Sequence, residues 1–430
     1  MQLYLLINTF AKNKNQSNFK KIVMKKTVML ISFAFILLSG FAQKSAVVSA
    51  YNYHRDGKLD KAKEYIDKAI TNEKTMNDAK TWFYRGNIYI DIYRSTNEEY
   101  RSLDPDALNV AFNAYEKAKS LDAKNEYTEQ INAFMPIVGE AYFNDGANRF
   151  NDGMAALDVK DTTAAQVAFG GAVNSFEKAY EIYTAVGTDD TTTIYYVSVA
   201  AELAGQYDKA RTNLEKLVEM NYNKSGIYSS LAGIYYKQDK DTEKALNTYA
   251  LGRERFPDDL NLLLNQTNIY LAEGMTKEAL ANLEAAATLD ANNATIFFAI
   301  GAKYNEISDD KERDMEIRED AFQKAVAAYE RAIEINPDYF DPIYNMGALY
   351  VNKAAEMYDI AGQLDLSEQA KYDEMVAQAK SYLEESLPYL EKAHEMQPDD
   401  MATMASLKEI YTRLGMLDKA ATIGDQMEGN

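Results

Sequence analysis

Arg55-Asp-Gly-Lys-Leu-Asp-Lys-Ala62, Ala204-Gly-Gln-Tyr-Asp-Lys-Ala210, Glu273-Gly-Met-Thr-Lys-Glu-Ala279 and Leu414-Gly-Met-Leu-Asp-Lys-Ala420 are four versions of one phrase. In each, a glycine stands five residues ahead of an alanine, and Tyr53, Tyr270 and Tyr411 stand four residues ahead of three of the glycines. Glycine just past an apolar run stops a helix, because it can take the left-handed backbone conformation that other residues resist. The charged pair after it opens a second helix, and the small alanine lets the two helices approach closely. The phrase therefore spells helix, tight turn, helix.

Working outward, the same spacing frames nearly the whole chain after residue 43. Its marks are Trp82, Gly86, Tyr89 and Ala111, then Gly139, Tyr142, Ala172 and Phe176. They continue with Tyr235 and Ala245, Gly301, Tyr304 and Ala325, and Gly347, Tyr350 and Ser386. This pattern resembles the tetratricopeptide repeat, a helix–turn–helix unit of about 34 residues with small residues at positions 8 and 20 and tyrosine at 11. Tyrosine fills position 11 in eight of nine frames, which lie near 43–78, 79–131, 132–190, 191–224, 225–259, 260–293, 294–339, 340–400 and 401–430. The resemblance implies an all-α fold, a right-handed superhelical solenoid of about nine helix pairs. Frames two, three, seven and eight carry insertions of 13, 21, 12 and 27 residues between positions 8 and 20. The inserted text at 308–320 and 353–380 is charged and free of proline, so elongated helical hairpins are expected there. The third insertion, with Gly146, Gly153 and Gly170-Gly171, is the hardest to read.

Composition excludes much else. The 430 residues hold no cysteine and two histidines, so disulfides, thiolate metal sites and cysteine nucleophiles are out, and histidine-based triads have almost nothing to work with. A net charge of −20 argues against a nucleic-acid surface. Met24-Lys-Lys, an apolar run from Val28 to Leu38 and Ser39-Gly-Phe-Ala42 read as a signal peptide cut after Ala42. Residues 1–23 read as an upstream extension or a mis-assigned start. The expected mature chain is exported to the periplasm or the exterior, lacks a membrane span, and carries 40 basic against 66 acidic residues.

No catalytic constellation emerges. His394-Glu-Met-Gln-Pro398 begins like a zinc-protease signature but ends in proline, and Asp309-Asp310 and Glu384-Glu385 read as solvated acidic faces. The position-11 tyrosines and Trp82 read as core. No cofactor or metal is expected. The resemblance implies a groove lined by first-helix residues, here Phe83, Asn87, Asp91, Tyr195, Glu202, Leu264, Asn268, Phe298, Asn305, Glu306, Tyr344 and Asn352. Asparagine can donate to and accept from an extended backbone, and the aromatic neighbours can bury its side chains. The family's chaperone-binding members put lysine four residues before such an asparagine, where Phe83 and Leu264 stand here. The expected function is a monomeric, non-catalytic scaffold of the cell envelope that binds a protein or peptide with basic segments. The alternatives are an accessory or ligand-binding component of an outer-membrane uptake or secretion complex, or, against the residues, an enzyme.

Overall fold

The computed structural model describes residues 46–188 and 190–429, so the expected signal peptide and its cut after Ala42 lie outside the described residues. Among the described residues the chain is all-α, with no strand, as its repeat text requires. It divides into two units, one reaching residue 142 together with 185–187, the other comprising 143–184 and 188 onward.

The first unit contains α1 (Ala46–Arg55), α2 (Leu59–Ile70), α3 (Ala79–Arg94), a four-residue α4 (Glu98–Arg101), α5 (Ala107–Leu121) and the beginning of α6 (Thr128–Asp158). Gly57 turns the chain between α1 and α2 with φ +72°, the left-handed stop its phrase called for. The Asp78 carboxylate caps α3 by accepting from the Lys80 N–H at 3.1 Å. Gly86 lies flat under Tyr115, so α3 and α5 meet without a side chain between them. The insertion in this frame makes no extended hairpin. It forms a loop around α4, capped by Asn97 and interrupted by Pro105, which cannot sit inside a helix without losing a hydrogen bond. Asp122 is nearly buried after α5, and its carboxylate accepts from the N–H groups of Glu126, Tyr127 and Thr128 at 2.8–2.9 Å. Burial alone would raise its pKa, but these donors and the Thr128 hydroxyl hold it below the usual carboxylate range.

The second unit contains the rest of α6, then α7 (Thr162–Ala185), α8 (Thr191–Leu203), α9 (Tyr207–Glu219), α10 (Gly226–Ile234) and α11 (Thr242–Arg255). It continues with α12 (Leu260–Ala272), α13 (Thr276–Leu289), α14 (Ala294–Asp309), α15 (Met315–Ile335), α16 (Phe340–Gly362), α17 (Gln369–Met396), α18 (Met401–Arg413) and α19 (Leu417–Gly429). From α8 onward each helix packs on the next, which is solenoid stacking. Gly205, Gly274 and Gly415 repeat the left-handed stop at φ +70° to +74°. The position-20 alanines Ala172, Ala210, Ala245, Ala279 and Ala325 are fully buried, as are Ala62 and Ala111 in the first unit.

One stop is made differently. Tyr235 is followed by a π-helical turn to Asp239, and Lys240 takes the left-handed conformation at φ +57°. The frame carries one residue more between tyrosine and stop than its siblings, and the wider turn absorbs it. The third insertion becomes an α6/α7 hairpin of 31 and 24 residues. Gly146 lies under Phe176 and Gly153 under Phe169, so two glycine–phenylalanine layers seven residues apart zip the helices together. The insertions at 308–320 and 353–380 lengthen α14/α15 and α16/α17 as expected.

Candidate functional site

The first helices of the pairs carry the residues expected to meet a partner. In the second unit, Phe298, Asn305 and Asp309 recur on α14 at spacings of seven and four, which places them along one helix face. Phe298 is half-buried against Tyr339, ring centroids 5.5 Å apart, and Tyr329 at 6.2 Å. The Asn305 amide donates to Asp309 Oδ2 at 3.3 Å, and Asn352 of α16 donates to the same oxygen at 3.2 Å. Two expected asparagines from neighbouring pairs thus converge on an aspartate that had read as part of a solvated face. Asp309 makes no ion pair among the described residues. Burial pushes its carboxyl above the usual range, only partly opposed by the two amides and by Arg318. Tyr344 stacks on Phe340 at 5.9 Å, and Glu306 is paired with Lys303 at 2.6 Å.

A second layer of charge stands next to this strip. Lys353, 5% exposed, reaches Glu319 at 2.8 Å and Glu356 at 3.0 Å, and Arg318 meets Glu356 at 2.7 Å. Arg318 also donates to the Ser308 carbonyl at 2.9 Å, one residue before Asp309. The long hairpins are therefore tied to each other beside the strip.

The other expected positions scatter. Leu264 is half-buried against the cluster around Leu263, Leu283 and Ile296, and Asn268 is exposed. Tyr195 is half-buried beside Tyr196 and Tyr222, each 5.7 Å away, and Glu202 is half-buried on the same helix. In the first unit Phe83 is not a surface residue. It is 4% exposed, ringed by Tyr84, Tyr115, Tyr127 and Phe134, because so many facing rings give a large apolar side chain more contact inside than outside. Asn87 accepts from the Tyr115 hydroxyl at 2.7 Å, so its carbonyl is engaged within the repeat. Asp91 pairs with His54 at 2.7 Å. Trp82, read as core, is half-buried, with its indole N–H on the Met76 carbonyl at 2.8 Å.

The position-11 tyrosines do pack between helices, and four of them do something further. Tyr89 donates to Asp67, Tyr235 to Glu215, Tyr304 to Glu284 and Tyr411 to Glu391, at 2.5–2.9 Å. In each case the acid lies 20 or 22 residues earlier, on the second helix of the preceding pair. Burial and the adjacent carboxylate raise the pKa of all four phenols. That recurrence was readable as an acid 20 or 22 residues ahead of these four tyrosines, and it ties each of the four pairs to the one before it. Among the described residues no three histidine, aspartate or glutamate side chains converge to hold a metal ion, and no helix is long and apolar enough to cross a membrane.

Comparison with known proteins finds one repeat match in each unit. A family model described as tetratricopeptide repeat matches residues 44–75, and one described as TPR repeat matches 315–353. No curated protein matches the chain. Among solved structures, YrrB, described as a TPR protein with an unusual peptide-binding site, is 18% identical over 51% of this chain and 97% of its own, with a TM-score of 0.33. The C-terminal part of a TPR repeat-containing protein from Cytophaga hutchinsonii is 16% identical over 59% of this chain and 94% of its own, TM-score 0.36. A thermophilic TPR protein of Thermus thermophilus is 19% identical over 47% of this chain and 98% of its own, TM-score 0.29.

Proposed function

We propose that this chain is a non-catalytic scaffold of the cell envelope whose first-helix face in the second unit binds an extended segment of a partner protein. The observation that carries the reading is the convergence of Asn305 and Asn352 on Asp309, on the helix faces that also bear Phe298 and Tyr344. From Phe298 to Asp309 the helix rises about 16 Å, the length of about five extended residues. An apolar side chain against Phe298 and Tyr344 and a lysine or arginine at Asp309 would fit one such segment. The carboxylate is exposed and makes no ion pair among the described residues, so an incoming cation can reach it and pair with it directly. The acidic chain adds steering of basic partners at long range.

Export is part of the proposal, and its support is the text of residues 24–42; the mature protein would begin at Gln43. The test is capture of partners from the native envelope by chemical cross-linking, identified by mass spectrometry, with wild type and with Asn305→Ala/Tyr344→Ala. The double variant should keep its thermal melt and lose the wild-type cross-links. Undiminished capture by the double variant rejects this face as the binding surface.

A further inference from the structure

A second feature of the second unit has the opposite charge. The α9–α10 loop lays the Lys224 ammonium over the ring of Tyr195, 4.0 Å from its centroid, with Tyr222 flanking that ring at 5.7 Å. In a chain with 20 more acids than bases, Lys224 has no carboxylate within ion-pair distance among the described residues. Glu202 lies near Tyr195, and the Asp190 carboxylate is occupied in capping α8 through Thr192 and Thr193.

The loop is built rather than slack. Asn221 takes the left-handed conformation at φ +55°, and Arg255 of α11 donates to its side-chain oxygen at 3.0 Å and to its carbonyl. The Tyr222 N–H closes back on Leu217 at 2.9 Å, and the Lys224 N–H on Tyr222 at 3.0 Å. The platform is equally fixed. Tyr196, next to Tyr195, is wedged edge-on against Phe143 at 5.4 Å and stacked on Phe176 at 5.6 Å. Burial alone drives the Lys224 pKa down, the sign of an ammonium that has lost water and gained no acid.

We infer that Lys224, with Tyr195 and Tyr222, forms a subsite for a carboxylate carried next to an apolar or aromatic group. The ammonium offers its free donors to the anion, and the tyrosine rings take the apolar neighbour. The cation comes from the loop between pairs, and neither Phe83 nor Leu264 is involved. The inference does not depend on the Asp309 strip, because the two sites share no residue and are probed by different ligands.

The probes are N-acetyl-phenylalanine, with a terminal carboxylate; N-acetyl-aspartyl-phenylalanine amide, with a side-chain carboxylate; N-acetyl-phenylalanine amide, with none; and inorganic phosphate. Binding is read by calorimetry and by the ammonium signal of Lys224 in nitrogen-15-labelled protein. At least one carboxylate probe should bind and shift that signal, and which of the two does so identifies the carboxylate's source. The neutral amide should bind at least about tenfold more weakly for want of the charge-assisted hydrogen bond, and phosphate at least about tenfold more weakly for want of an apolar group to lie on the rings. Lys224→Met should abolish the carboxylate response and Lys224→Arg should retain it, both with unchanged melts. Failure of both carboxylates, equal binding of the amide or of phosphate, or undiminished binding to Lys224→Met overturns the inference.

Discussion

Adding one methyl group at Gly301 tests the packing on which the whole reading stands. A Cβ built there would sit 2.5 Å from Tyr329 Cδ1, 2.6 Å from Cε1 and 3.1 Å from Cγ. Carbon atoms in contact prefer about 3.5–4.0 Å, so ring and helix must separate by about 1 Å. Tyr329 has no room to yield: it is fully buried and packs in one cluster with Phe322, Met346 and Leu349. Overpacking of this kind costs about 1–3 kcal/mol, and alanine returns up to about 1 kcal/mol of helix propensity. Gly301→Ala should therefore lose about 1–2 kcal/mol. Gly171→Ala is the control, since its Cβ would meet only the Arg149 side chain at 3.2 Å, and that side chain is half exposed and held by a single surface ion pair with Asp145, so it can give way far more easily than a buried ring. It should be neutral or gain up to about 1 kcal/mol. Urea unfolding followed by circular dichroism reads both, with Gly301→Ala/Tyr329→Leu as a third variant that restores space. The double variant should lose less than the two single changes added together. Equal midpoints for Gly301→Ala and Gly171→Ala, or full additivity in the double variant, would refute the close glycine–tyrosine contact.

Three further outcomes follow from other parts of the fold. Asp122→Asn should cost about 2 kcal/mol at neutral pH, as expected for losing charged hydrogen bonds. The folded pKa lies below the unfolded one, so the wild-type advantage is present above about pH 4 and vanishes as pH falls through the folded value; a gap that persists undiminished at acid pH would contradict this. Lys240→Gly should raise the unfolding free energy by about 0.5–1 kcal/mol, read as a higher urea midpoint, by relieving a left-handed lysine, whereas a loss would mean the π-turn is not strained. Lys353→Met should cost about 1–2 kcal/mol, because the buried ammonium leaves two acids of which Glu319 is 43% exposed and Glu356 keeps Arg318, and hydrogen exchange should quicken first in α15 and α16.

The helix pairs were legible because their determinants are local. A glycine with positive φ and an alanine at a close crossing leave marks at fixed spacing, and Gly57, Ala62, Gly274 and Ala279 all stand where the spacing puts them. Lys240 was not legible, since one extra residue shifts the stop and lysine carries no signal for it. The α6/α7 hairpin was harder to read because its signal is paired rather than local: Gly146 and Gly153 acquire meaning only opposite Phe176 and Phe169. Of the residues expected to line a surface, only some lie at one. Periodicity puts Asn305 and Asn352 on an accessible face, but which residue joins them depends on where two helices cross. Phe83 obeys the same periodicity and is buried, because its surroundings in the first unit are aromatic.

The acidity of the chain also reads differently once the recurring carboxylates are assigned. Asp78, Asp190, Asp259 and Asp400 cap first helices. Asp67, Glu215, Glu284 and Glu391 receive tyrosines from the following pair. Each of these oxygens already holds a donor from its own chain, and a partner could take it only by displacing that donor. Net charge therefore describes how a partner is steered from a distance, which falls off beyond about 10 Å at ordinary salt. On the two proposals above, docking would rest on groups that make no ion pair within the chain. Asp309 among the acids and Lys224 among the bases make no ion pair among the described residues, and they differ in sign. A partner selected by net charge alone would be uniformly basic. One selected by these two groups must present a cation and a carboxylate at a fixed separation, so charge-reversal at Asp309 and at Lys224 should weaken capture of the same partner. Loss of one with indifference to the other would mean the two sites serve different ligands.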